Sequence, residues 1–134
     1  MAKKVVIIPC SGIGKPYGEI GRQAVYAMAE ELRPEDVTTV CLAKLMIDDP
    51  ETRALVNESY VITVDGCGLA CARKNVEAVG KRVDREVKVI ETFKDHRDLK
   101  PEGVLELGEP GFRLAQILAE KLDQEVNCVM QREG

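Results

Sequence analysis

The stretch Lys4-Val5-Val6-Ile7-Ile8-Pro9-Cys10-Ser11-Gly12-Ile13-Gly14-Lys15 decides how the rest of the chain is read. Four consecutive β-branched residues with no polar alternate read as a strand buried on both faces. Pro9 cannot donate to a sheet ladder and ends it. A strand buried on both sides belongs to a sheet covered by helices above and below. The glycine-rich run from Cys10 to Lys15 then reads as a strand-to-helix loop. A helix follows over residues 16–32, with Ile20, Ala24, Ala27, Met28 and Leu32 on its inner face and Pro34 preventing continuation.

Outward from this unit the pattern repeats. Val37 to Leu42 reads as a second strand containing Cys41. Asp49 is suited to cap a short helix with Pro50 at its first position, running to about Glu58. Tyr60 to Val64 is a third strand, followed by the turn Asp65-Gly66-Cys67-Gly68. The next helix carries Leu69, Ala72, Val76, Val79 and Val83 at spacings of three and four. Glu86 to Ile90 reads as a fourth strand, while residues 92–108 show no clear period. A last helix from about Pro110 is expected to bury Leu114, Ile117, Leu118 and Leu122. Val126, Cys128 and Met130 alternate like a short terminal strand, which would hold Cys128 as a buried core thiol. Alternating strand and helix signals predict one α/β domain over residues 1–134. The expected form is three-layered and Rossmann-like, with a mainly parallel sheet of four or five strands, strand order 2-1-3-4, and helices on both faces.

A chain of 134 residues, 45% hydrophobic and 31% charged, has the composition of an ordinary globular protein and can bury a core without staples. A net charge of −4 with scattered Lys and Arg argues against nucleic-acid binding, which requires a basic surface. Two Phe, three Tyr and no Trp offer no platform for stacking bases. The run Val5 to Ile8 is far shorter than the ~20 residues that span a bilayer, and no small-residue cleavage site follows it. A cytoplasmic protein without a leader, not embedded in membrane, is therefore expected. Partners are not specified, and a homodimer is left open. Five cysteines in a reducing compartment point to thiol chemistry or metal rather than structural disulfides.

Parallel topology explains how distant cysteines could meet. Every strand-to-helix loop of such a sheet lies at the same carboxyl edge. Cys10 follows strand one, Cys41 closes strand two, and Cys67 and Cys71 follow strand three at a helix entry. Cys67 and Cys71, four apart, would share a helical face. Four thiolates suit zinc, copper(I) or an iron–sulfur cluster over magnesium or calcium. The helix start favours ionised sulfur. Nearby glycines let N–H groups approach the sulfurs, and Lys15 and Arg73 could offset the charge of the site. The plainer reading of Cys41, flanked by Val40 and Leu42, is a buried core thiol.

The run Val64-Asp65-Gly66-Cys67-Gly68-Leu69-Ala70-Cys71, with Cys10-Ser11-Gly12 after an N-terminal strand, resembles the DGC-domain family, named for its Asp-Gly-Cys motif. The resemblance extends from the first strand through the fourth. It implies metal chelation by Cys10, Cys41, Cys67 and Cys71, with zinc the expected ion and the biological role undefined. Ser11, Lys15, Asp65 and Gly66 are the residues expected around the sulfurs.

Other motifs fail on particular residues. A phosphate-binding loop ending Gly14-Lys15 would need Gly at Pro9 and Ser or Thr at Pro16. A phosphatase cradle starting at Cys10 would need Arg at position 16. The glycine-rich loop could still cradle an oxyanion or a persulfide. Cys67 and Cys71 have three residues between them rather than the two of a thioredoxin motif. Asp65 is read first as a helix cap and second as a partner near the sulfurs. His96, in the polar run Lys94-Asp95-His96-Arg97-Asp98, is read first as a solvent-facing loop residue and second as a ligand. Four sulfurs would leave zinc no open position, which favours a non-catalytic metal protein over an enzyme. The alternatives are a thiol enzyme or sulfur carrier with Cys67 or Cys10 as nucleophile, and an iron–sulfur redox protein.

Overall fold

The computed structural model describes residues 4–9, 16–40, 42–65, 71–96, 98 and 108–131. The stretch Val5–Pro9 forms strand β1 and is buried at every position. It leads to helix α1, Pro16–Ala27. Strand β2 is Val37–Thr39, and strand β3 is Tyr60–Asp65. Strand β4, Arg85–Lys88, completes a four-stranded sheet in the order β2-β1-β3-β4, all neighbours parallel. The chain is thus an α/β protein with the expected 2-1-3-4 order. Pro9 extends the first strand by one residue, opposite Val64.

Alternation along the strands divides the core in two. Val5, Ile7, Val37, Ile62, Val64 and Val87 point to one face, where they pack on α1 and on helices α5, Val89–Asp95, and α6, Gly108–Met130. Val6, Ile8 and Val61 point to the other face. There they meet Leu42 and Leu45 of α2 (Leu42–Met46), Val56 of α3 (Pro50–Glu58), and Ala72 and Val76 of α4 (Cys71–Ala78). The first cluster is much the larger, because α6 lays Leu114, Leu118, Leu122, Val126 and Val129 along it with no exposure. At that face Gly21 brings α1 close to the sheet. A Cβ there would lie 3.3 Å from Val64 Cγ1 and 3.4 Å from Val89 Cγ2.

Five expectations are corrected. First, the second strand ends at Thr39 rather than Leu42, and Leu42 to Met46 are helical because Leu42 and Leu45, three apart, reach the same apolar face. Second, the first helix widens into a π-helical turn over Met28–Leu32, where the Arg33 N–H reaches back five residues to the Met28 carbonyl at 2.8 Å. That turn rotates Leu32 off the inner face and leaves it 53% exposed. Arg33 then ties the turn to α6 by bonding Asp123 Oδ1 at 2.5 Å and Asn127 Oδ1. Third, the fourth strand stops at Lys88, and Val89 and Ile90 open α5.

Fourth, the expected terminal strand is the end of α6, whose inward residues continue the three-and-four spacing through Val126 and Val129. Cys128 is therefore exposed, not a core thiol. Fifth, Ile117 is only half-buried, one step off the stripe of Leu114 and Leu118. Among the described residues no helix is long and apolar enough to cross a membrane.

Candidate metal site

The carboxyl ends of β2, β1 and β3 stand side by side, and each leads within a few residues of sequence to a cysteine. Cys10 directly follows Pro9, Cys41 comes two residues after Thr39, and Cys67 comes two residues after Asp65. Thr39 is level with Ile7 and Ile62, three residues short of the end of β3, so with strands ~4.8 Å apart and ~3.3 Å per residue the outer two of these three ends are separated by about 14 Å. Cys10, Ser11, Lys15, Cys41, Gly66 and Cys67 lie outside the described residues. So does the expectation that Cys67 shares a helical face with Cys71. Cys71 is described: it opens α4 and its thiol is exposed. Among the described residues no group of three or more His, Cys, Asp or Glu side chains converges to hold an ion.

Asp65 is the best-defined member of the candidate site. It is the last residue of β3 and is only 1% exposed. Its carboxylate points to the face on which α4 packs. Oδ1 accepts the N–H of Ala72 at 2.7 Å, and Oδ2 accepts the N–H of Arg73 at 3.4 Å. Asp65 therefore caps α4 from a position seven places before Ala72, satisfying N–H groups that a helix start leaves free. The cap read from the sequence is present, although it reaches over a loop rather than sitting at the helix boundary. Burial pushes the Asp65 carboxyl above its ordinary value. The two N–H groups and the Arg73 charge pull it down, while the Glu86 charge adds to the upward push.

Arg73 does not turn its charge to a thiolate group among the described residues. Its Nη1 donates to Glu86 Oε2 on β4 at 3.2 Å, and its Nε lies 3.3 Å from Glu77 Oε1 one turn along α4. Lys88 Nζ in turn stands 3.5 Å from Glu86 Oε1. A chain of alternating charge thus straps α4 to β4 beside the Asp65 cap. The far end of α4 is closed by Gly80, at φ +85°, where a side chain would be strained. There the Gly80 N–H bonds the Glu77 carbonyl and the Lys81 N–H bonds that of Val76.

Thr63 shares the inner side of β3 with Asp65. It is fully buried, and its hydroxyl has no hydrogen-bond partner among the described residues. Neither feature was read from the sequence, where Thr63 counts only as a strand residue. His96 falls at the end of α5, its N–H bonded to the Phe93 carbonyl at 3.0 Å. A helix of seven residues carries it about 10 Å from the end of β4. It lies just past the helix, as a loop residue should, but is half-buried rather than solvent-facing.

No curated protein and no solved structure matches the chain. The DGC domain model does match, over residues 6–109. That stretch takes in the four strands apart from Val5, the Asp65 cap, and the positions of Cys10, Cys41, Cys67 and Cys71. Only α6, which completes one face of the core, lies almost wholly beyond it. On this match the chain belongs to the DGC-domain family.

Proposed function

We propose that the protein binds one zinc ion through the thiolates of Cys10, Cys41, Cys67 and Cys71. The observation that carries this reading is the parallel order β2-β1-β3. It sets three neighbouring strand ends, each leading into a cysteine, within about 14 Å along one edge of the sheet. Sulfurs ligating zinc sit ~2.3 Å from it, so short extensions beyond those ends suffice to surround one ion. The donor set fits the metal, since thiolates are soft ligands that select zinc over magnesium or calcium. The exposed thiol of Cys71 leaves one expected ligand open to an incoming ion. Ser11, Lys15, Asp65 and Gly66 flank the ligands and would hold or orient them.

Four sulfurs fill zinc's tetrahedron and leave no position for a reacting water, so the role is structural, sensing or transfer rather than hydrolysis. Elemental analysis of protein isolated without chelators tests this. Wild type is expected to carry one zinc per chain, and Cys67→Ser to lose most of it. Wild type that holds no metal and takes up no zinc in reducing buffer overturns the reading. Iron with acid-labile sulfide from anaerobic preparations would replace zinc by a cluster on the same cysteines.

A further inference from the structure

We propose that Asp65 is the clasp of the cysteine loop, a positioning residue that joins the end of β3 to the start of α4 and so fixes the separation of Cys67 and Cys71. This inference rests on the zinc reading and goes beyond it. The seven Cα-to-Cα steps from Asp65 to Ala72 can span up to about 23 Å when extended. The bond from the Ala72 N–H to Asp65 Oδ1 brings those ends into contact at 2.7 Å. Cys67 stands two residues after one end of this closure, and Cys71 stands one residue before the other.

Both ends are anchored. Asp65 is registered against Lys88, and the preceding Val64 against Pro9, the residue before Cys10. Ala72 and Val76 bury α4 in the core, and Gly80 stops it. A side chain that only capped a helix could sit at the helix boundary, as Asp49 does for α3. Asp65 instead reaches across the whole loop from a strand. Its carboxylate length is what spans the distance to two N–H groups at once.

The test compares zinc affinity, by competition with a chromogenic chelator, with the thermal midpoint of the metal-free protein. Wild type, Asp65→Ala, Asp65→Ser and Asp49→Ala are measured as full-length chains. Groups that orient ligands typically change metal affinity by about 10- to 100-fold. Asp65→Ala is expected to weaken zinc binding by that amount. Asp49→Ala, which removes the cap of a different helix, is expected to lower the midpoint and leave zinc affinity unchanged. Should Asp65→Ala not fold, Asp65→Ser carries the test: its shorter hydroxyl cannot bridge to both N–H groups, and a loss of about tenfold is expected. A folded Asp65 variant that binds zinc as tightly as wild type overturns the clasp while leaving the zinc site standing. Wild type that binds no zinc removes the site, and the clasp with it.

Discussion

Asp49 and Asp65 do the same task in opposite surroundings. Each carboxylate accepts backbone N–H groups at the start of a helix on the same face of the sheet. Asp49 sits at the boundary of α3, preceded by Asp48 in a left-handed conformation at φ 61°. It accepts the Thr52 N–H at 3.0 Å and the Thr52 hydroxyl at 2.7 Å. These two bonds, the side-chain one first, hold its carboxyl below the ordinary value. Asp65 also accepts two donors, yet desolvation outweighs them and its carboxyl is raised. The number of hydrogen bonds therefore does not by itself set the direction of the shift. Solvent access does, because a buried carboxylate loses hydration that two N–H groups only partly replace.

The largest effect expected on stability comes from Asp65→Ala. It leaves the buried Ala72 N–H without its acceptor, a loss of about 1–2 kcal/mol in unfolding free energy of the metal-free protein. Relief of the buried charge keeps the loss from being larger. Urea denaturation followed by circular dichroism measures it. An unchanged midpoint would mean that α4 is held by Ala72 and Val76 alone. Asp65→Asn sharpens the comparison, because its amide oxygen can still accept the Ala72 N–H while its NH2 cannot accept that of Arg73. Its loss should be smaller than that of Asp65→Ala, and a loss as large would assign the effect to the charge rather than to the bond. Asp49→Ala comes next, with a smaller fall in midpoint, since water can replace the cap at that accessible helix start. An effect exceeding that of Asp65→Ala would break the argument from burial.

The two caps also show what was legible in the sequence. Asp49-Pro50 announces its helix by local chemistry, and that helix was read to its last residue. The strands were legible because runs such as Val5 to Ile8 and Val61 to Val64 are too apolar for any other place, and parallel topology then limits their order. Long-range choices were not legible. Val126, Cys128 and Met130 fit a period of two as well as part of a helix, and only packing on the first face selects the helix and turns Cys128 outward. Leu32 fits the helical stripe until a widened turn at Met28 shifts it. For the site, the cysteines and Asp65 were visible as residue types. That Asp65 reaches Ala72 depends on the separation of β3 and α4, which no local pattern encodes.

Acid titration separates the caps further. A carboxyl held below its ordinary value stabilises the fold fully above the unfolded value, near 3.8 for Asp49, and that contribution is lost as pH falls through the lower folded value. The stability difference between wild type and Asp49→Asn should therefore shrink as pH is lowered from about 5 toward 2. A difference that stays constant over that range would mean the Asp49 carboxyl is not depressed in the fold. The smallest expected effect is that of Thr52→Val. It removes the hydroxyl that donates to Asp49 and keeps the Thr52 N–H bond and a β-branched shape at a buried position. Because the hydroxyl is the leading cause of the depression, the Asp49 titration seen by NMR should move upward toward its ordinary value. Stability at neutral pH should change little, since the burial of an extra methyl offsets part of the lost bond. A titration that does not move would shift the cause to the backbone N–H, and the accessible cap would then work by the same donors as the buried one.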